Sequence, residues 1–212
     1  MDFLSPAIQA YAERYSSPES ALLDEIARET RNNHPESHML SGHLQGRFLA
    51  LISRLLQPQY VLEIGTFTGY SALCLAEGLP PEGQLHSIEL RPAEQETARR
   101  YFQQSDKADQ LFLHAGDASA IIPALPFTWD LVFIDADKTG YLNYYGLVKP
   151  RMRRGALIIA DNVLFHGQVL EQPVTGKSAK AIQAFNDHVS NDKSVERLLL
   201  PLRDGLLLIQ KK

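Results

Sequence analysis

Acidic residues recur at one kind of place in this chain, just after a short apolar run. Val61-Leu62-Glu63-Ile64 leads into Gly65, and a second glycine, Gly69, follows four residues on. Leu85-His86-Ser87-Ile88 ends in Glu89, and a further run is followed by Asp117. Leu131-Val132-Phe133-Ile134 ends in Asp135, with Asp137 two residues later, and an apolar run closing at Ala160 ends in Asp161-Asn162. Read as parallel strands, these runs would bring their carboxyl ends, and the acids, to one edge, where open sheets bind ligands. Clustered carboxylates repel one another unless a cation or hydrogen-bond donors offset them. Strand, glycine turn, helix, strand and acidic tip is a layout in which backbone approaches a nucleotide-like ligand and a carboxylate, here Glu89, takes two ribose hydroxyls. The dinucleotide form G-x-G-x-x-G would need glycine at position 67, which is Phe67. Asp135, Asp161 and Asn162 offer hard oxygen donors with no cysteine or histidine, a set suited to Mg²⁺, Mn²⁺ or Ca²⁺ rather than zinc. Three protein oxygens leave positions for water and substrate oxygens, and a cation there would lower the pKa of a bound hydroxyl. Lys138, one helical turn past Asp135, would accept a phenolic proton if the cation disfavoured its ammonium form. Its spacing alone favours a solvated lysine at a helix start.

The elements that must position these residues follow from periodicity. The first ~55 residues read as helical. Ser5-Pro6 and Ser17-Pro18 each look like a cap followed by proline in the first turn, and 31–37 is a polar linker. A third helix covers 43–56, with Leu44, Phe48, Leu51, Ile52 and Leu55 as its apolar face. From Tyr60 onward strands alternate with amphipathic helices. Strands are expected at 60–64, 84–88, 110–114, 131–134 and 156–160, and helices near 70–78, 92–104, 118–122 and 141–149. Such alternation predicts a parallel sheet covered on both faces. A helix near 178–190 and strands at 195–200 and 206–210 close the chain. The last two strands are joined by Pro201-Leu202-Arg203-Asp204-Gly205 as a hairpin with Asp-Gly in its turn.

At 212 residues one α/β domain is expected, 1–56 as a helical cover and 57–212 as the core. A hydrophobic content of 44% against 22% charged fits a globular chain, and a net charge of −4 argues against a globally basic face for nucleic acid. The lone Cys74 allows no internal disulfide, and no run of 18 apolar residues or leader pattern stands out, so a cytoplasmic location off the membrane is expected.

The E-x-G-x-x-x-G pattern resembles motif I of class I methyltransferases, which bind S-adenosylmethionine. Further carriers extend the likeness: Met39-Leu40-Ser41 with Gln45-Gly46, Leu62 to Ser71, Gly116-Asp117-Ala118, Phe133 to Lys138, Tyr141-Leu142-Asn143-Tyr144, Ala160-Asp161-Asn162 and Arg203-Asp204-Gly205. In this order they resemble the cation-dependent O-methyltransferases related to caffeoyl-CoA and catechol O-methyltransferases, from about residue 39 onward. The resemblance implies a Rossmann-like fold with seven strands, the last antiparallel, helices on both faces and extra N-terminal helices, in a homodimer. It implies that Glu63, Gly65 and Ser71 hold the methionine end of the cofactor, with Met39 and Ser41 closing over it, and that Thr66, Gly69, Tyr70 and Leu90 also bind the cofactor. Glu89 would serve the ribose, Asp117 and Ala118 the adenine, Asp137 the cofactor amino group, and Tyr144 would flank cofactor and substrate. Asp135, Asp161 and Asn162 would bind the metal, Mg²⁺ first among the divalent ions. Lys138 and Asp135 would be catalytic, in a transfer of methyl from sulfonium to a catechol-like hydroxyl that the metal holds. The family often has Trp-x-Gly where this chain has Phe165-His166-Gly167, and 168–180 is too short for a coenzyme A tail, so a small acceptor is expected. A hydroxylated uridine in tRNA, and a binding protein without turnover, are the competing readings. Core packing is expected of Cys74 and Trp129, solvation of His166, and helix-end and surface roles of Arg151, Arg153 and Arg154.

Overall fold

The computed structural model describes residues 5–212, so the opening of the helical cover, residues 1–4, lies outside the described residues. Seven strands share one sheet: β1 (Tyr60–Ile64), β2 (Gln84–Glu89), β3 (Leu111–Ala115), β4 (Trp129–Ile134), β5 (Met152–Ala160), β6 (Val195–Leu200) and β7 (Leu206–Lys211). Their order is β3-β2-β1-β4-β5-β7-β6. Pairing is parallel from β3 through β5, and β7 runs antiparallel to both β5 and β6. β4 is buried along its whole length, and beyond the buried Asp130 its residues 131–134 read as an unbroken apolar run.

Before the sheet come α1 (Pro6–Arg14), α2 (Ala21–Asn33) and α3 (His43–Leu56); within it lie α4 (Tyr70–Ala76), α5 (Pro92–Gln104), α6 (Ala118–Ala124), α7 (Tyr141–Val148) and α8 (Lys177–Asn191). One core joins the sheet to α2 through α5, and a second joins it to α6, α7 and α8. Helices therefore cover both faces, as expected of a chain that alternates strand and helix.

Several local expectations need correction. The second helix begins at Ala21, because the Ser20 hydroxyl, not Ser17, accepts from the Leu23 N–H (3.3 Å). The Ser17 carbonyl is bound instead by His43 Nε2 at 2.8 Å. α2 also runs on to Asn33, into the segment read as a linker. The buried side of α3 is Gln45, Gly46, Leu49, Ala50 and Ser53, while Leu51 and Leu55 stand exposed at 57% and 72%. Close packing on α4 selects small residues there. A Cβ on Gly46 would lie 2.8 Å from the Tyr70 hydroxyl, and Ser53 Oγ donates to the Leu75 carbonyl at 2.5 Å. β4 and β5 both start earlier than expected, with a register irregularity between Trp129 and Leu131. The β6–β7 connection, by contrast, is the expected hairpin through Pro201 to Gly205, with Leu200 paired to Leu206 and the Gly205 N–H bonded to the Leu202 carbonyl (2.9 Å). Cys74 and Trp129 are buried in the core, as expected. Arg151 donates to the Leu125 (2.7 Å) and Pro123 (2.9 Å) carbonyls at the end of α6, and Arg153 pairs with Asp130.

Strand order reverses between β1 and β4, the switch point where open α/β sheets bind ligands. Gly65 leaves β1 there at φ +90°, and a Cβ on it would fall 2.2 Å from the Asp135 carbonyl oxygen. Gly155 has a similar φ of +82° with nothing within 4 Å of its would-be Cβ. In denaturant unfolding, Gly65→Ala is expected to cost roughly 3 kcal/mol or more from conformation and overlap together. Gly155→Ala should cost only about 1 kcal/mol, from conformation alone. Equal losses would show that the Gly65 contact is not tight.

Candidate active site

The ends of β1, β2, β4 and β5 open into a cavity of about 640 Å³. Of the residues singled out in the sequence, Met39, Ser41, Gly65, Thr66, Tyr70, Ser71, Glu89, Leu90, Asp117, Ala118, Asp135, Asp137, Lys138, Tyr144, Asp161 and Asn162 line it. Glu63 and Gly69 do not. Glu63 is fully buried one layer behind the wall, where it accepts from Ser71 Oγ (2.6 Å) and Ser87 Oγ (2.5 Å). It fixes Ser71, which does reach the cavity. Gly69 (φ +92°) turns the chain into α4 and donates to the Thr66 carbonyl at 2.9 Å. Tyr70 lines the wall, but its hydroxyl donates to Glu19 at the helical cover.

On the β2 side, the Glu89 carboxylate accepts backbone N–H bonds from Phe67 (2.9 Å), Leu90 (2.9 Å) and Arg91 (3.0 Å). The glycine turn is thereby tied to the acid that follows the neighbouring strand. Asp117 caps α6 by accepting from the Ser119 N–H at 2.8 Å. The Asp137 carboxylate accepts from the Thr139 hydroxyl. Burial, followed by the charges of Asp137 and Asp117, raises the Tyr144 phenol above its ordinary pKa.

On the other side, Asp135 and Asp161 directly follow the paired residues Ile134 and Ala160, so adjacent strands deliver both carboxylates. Asn162 follows at φ +56°, a left-handed conformation asparagine tolerates well. Its Nδ2 donates to Asp204 at 3.4 Å. Asp161 is buried and accepts from Gln45 Nε2 (2.5 Å) and the Asn162 N–H (2.7 Å). Burial first, and the neighbouring Asp135 charge second, push the Asp161 carboxyl up; Lys138, Arg203 and Gln45 pull it back. Lys138 Nζ donates to Asp135 Oδ1 at 2.8 Å and to the Tyr141 hydroxyl at 3.0 Å. Burial opposes its charge, but Asp135, then Tyr141 and Asp161, outweigh it and hold the ammonium well above the ordinary lysine range.

Two carboxylates and an amide, all oxygen donors with one carboxyl driven toward its neutral form, fit a divalent cation, which would relieve that repulsion. Among the described residues no group of three or more His, Cys, Asp or Glu forms a metal site, which leaves this mixed set as the candidate. Phe165 and His166 line the cavity beside it, both at positive φ, with the His166 N–H on Asp204 Oδ1 at 2.6 Å. His166 therefore borders the site, although its side chain is 57% exposed. Gln45, Arg203 and Asp204 belong to this neighbourhood too. A glutamine on the buried side of α3, beside Leu49, was the signal that a polar group awaits it.

A family model described as O-methyltransferase matches residues 13–212. The chain belongs to the O-methyltransferase family. It is an S-adenosylmethionine-dependent O-methyltransferase, as that membership entails. It is 33% identical over 211 residues to a probable caffeoyl-CoA O-methyltransferase 2 of Dictyostelium discoideum, covering 97% of this chain and 91% of that one. It is 37% identical over 154 residues to a catechol O-methyltransferase of Mycobacterium tuberculosis, covering 70% and 69%. The SAH-bound methyltransferase PaMTH1 of Podospora anserina superposes with a TM-score of 0.90 at 28% identity, covering 97% and 94%. Among the described residues no helix is long and apolar enough to cross a membrane.

The buried acid behind the cavity sets a pH dependence. Burial, against the Ser71 and Ser87 hydrogen bonds, pushes Glu63 from 4.5 up to about 7. Between those values the folded enzyme binds the proton more tightly than the unfolded chain. Stability therefore falls as pH rises from about 4.5 to about 7 and levels off above. Glu63→Gln should lessen this fall in urea titrations of the cofactor-free protein, leaving the part that the raised Asp161 carboxyl contributes. An undiminished fall in that variant would show Glu63 ionised throughout.

Proposed function

We propose that this O-methyltransferase depends on a divalent cation and methylates one hydroxyl of a catechol-like vicinal diol. The observation that carries the reading is the oxygen set of Asp135, Asp161 and Asn162, with Lys138 beside it, in the same cavity as Glu89. When bound, S-adenosylmethionine supplies an electrophilic sulfonium methyl, and the cation supplies positive charge that favours ionisation of an acceptor hydroxyl.

The chain's own share is binding, alignment and proton handling. Glu89 takes the ribose hydroxyls, Asp117 and Ala118 frame the adenine, and Gly65, Thr66, Ser71 and Asp137 hold the amino-acid end. Met39 and Ser41 cover it and Tyr144 flanks the acceptor. Asp135, Asp161 and Asn162 are the residues that would hold the cation. Lys138 stands where the acceptor's proton must go, and it accepts one only in its neutral form, which a cation sharing the Asp135 charge would favour. Phe165 and His166 border the acceptor.

A cavity of about 640 Å³ that must hold cofactor and acceptor suits a ring-sized diol better than a thioester with a long tail. Six acids line it (Glu89, Asp117, Asp135, Asp137, Asp161, Asp204) against three strong bases (Arg91, Lys138, Arg203), which does not suit a polyanion such as tRNA. We infer further that residues 1–212 work as one domain and that two copies pair. Exposed Leu51 and Leu55 on α3, with Tyr11 and Tyr15 on α1, support a covered face.

The test is transfer from S-adenosylmethionine, with Mg²⁺ present, to catechol, protocatechuate and caffeate, and to phenol as a single-hydroxyl control. Monomethylated products from the diols and none from phenol are expected. Lys138→Met should lower kcat about a hundredfold or more with cofactor affinity retained. Equal turnover of phenol and catechol, or full activity in Lys138→Met, would contradict the reading.

A further inference from the structure

Arg203 sits in a left-handed backbone conformation (φ +49°), which glycine adopts freely and arginine does not. Its loop is pinned on both sides. The Val163 N–H donates to the Gly205 carbonyl at 3.1 Å and the Leu164 N–H to the Asp204 carbonyl at 2.9 Å. A Cβ on Gly205 would lie 2.6 Å from Leu164 Cγ, so this loop is pressed onto the segment that follows β5. An unfavourable conformation at a rigidly held position points to use of the side chain. The Arg203 guanidinium donates through Nη1 to the Ser41 carbonyl (2.6 Å) and to Gln45 Oε1 (3.4 Å), and through Nη2 to the His38 carbonyl (3.5 Å).

Gln45 completes the connection. It is fully buried, and its amide has one acceptor end and one donor end. With Oε1 toward the guanidinium, Nε2 is left to donate to Asp161 Oδ2 at 2.5 Å. The two halves of the cavity wall are thus linked by one continuous polar path: the 38–41 segment, Arg203, Gln45, Asp161. No other function described above uses Arg203 or Gln45.

We infer that Arg203 and Gln45 are positioning residues that couple the segment covering the cofactor to the cation-side carboxylate, so that filling either side tightens the other. The inference rests on the proposed cation dependence. A guanidinium fork bridges two carbonyls and an amide, which a lysine's point charge does not reproduce. Coupling of this kind is reciprocal and measurable as a ratio of affinities.

The experiment is Mn²⁺ binding followed by electron paramagnetic resonance, with and without S-adenosylhomocysteine. It compares the unaltered chain with Arg203→Gly, Arg203→Lys, Gln45→Ala and Asp161→Ala, each checked for folding by circular dichroism. Arg203→Gly removes the side chain while easing the backbone, so it keeps the fold. In the unaltered chain S-adenosylhomocysteine should tighten Mn²⁺ by about fivefold or more. In Arg203→Gly and Gln45→Ala that ratio should fall to about one, with Arg203→Lys failing to restore it. Gln45→Ala should also weaken Mn²⁺ itself by about tenfold, the usual effect of losing a partner that orients a ligand. A merely structural role would lower melting temperature without abolishing the ratio. A ratio unchanged in both variants, with Asp161→Ala losing Mn²⁺, would overturn the coupling and leave the cation site standing. An unaltered chain that binds S-adenosylhomocysteine but no Mn²⁺ would overturn the cation reading and the coupling with it.

Discussion

The carboxyl edge of the sheet depends on how closely the turn after β1 approaches the end of β4. Gly65 allows that approach, since any side chain would overlap the Asp135 carbonyl. Two backbone bonds hold the seam: the Asp135 N–H to the Ile64 carbonyl and the Gly65 N–H to the Ile88 carbonyl, both 2.9 Å. The consequence is functional. The proposed cofactor side, running from Gly65 to Glu89, and the proposed cation side, running from Asp135 to Asp161, become neighbours across one strand pair. A reaction that needs a methyl donor and an acceptor oxygen in line gains most from such fixed proximity.

Gathering acids at this edge has an electrostatic cost that the protein meets in different ways. Glu89 is supplied with three backbone donors, and Glu63 with two serine hydroxyls. Asp135 has only the Lys138 ammonium at 2.8 Å, and Asp161 has the Gln45 amide and a backbone N–H. Lys138 acts on both carboxylates and Arg203 on Asp161, yet burial still pushes the Asp161 carboxyl up, which sets this part of the wall apart from the rest. The same two carboxylates hold the Lys138 ammonium above the ordinary lysine range, so its proposed use as a base depends on what shares the Asp135 charge.

Much of this was legible in the sequence, for reasons that differ by element. Strands of the parallel sheet were visible because burial on both faces turns them into apolar runs, and their ends were visible because polar residues interrupt those runs. The early starts of β4 and β5 were hidden by Asp130, a buried carboxylate that accepts from the Gln59 (2.7 Å) and Tyr60 (2.9 Å) N–H groups, and by the exposed Arg153-Arg154-Gly155. Only part of the expected face of α3 is inward: Phe48 and Ile52 pack on the core beside the buried Leu49, Leu51 and Leu55 do not, and Gly46 and Ser53 are there to let α4 come close. Glu63 was placed in the right neighbourhood but one layer too far forward, since depth behind a wall leaves no mark on spacing. The contacts of Gln45 with Asp161 and of Arg203 with Gln45 span 116 and 158 residues, so only the fold could join them.

The most direct test of the shared edge is methyl transfer from labelled S-adenosylmethionine to catechol, measured with Mg²⁺, then with excess chelator, then with Mg²⁺ restored, while cofactor binding is followed by calorimetry. The expected result is transfer that chelator abolishes and Mg²⁺ restores, with the cofactor still bound throughout. Transfer that proceeds at full rate in chelator would contradict a cation held by Asp135, Asp161 and Asn162.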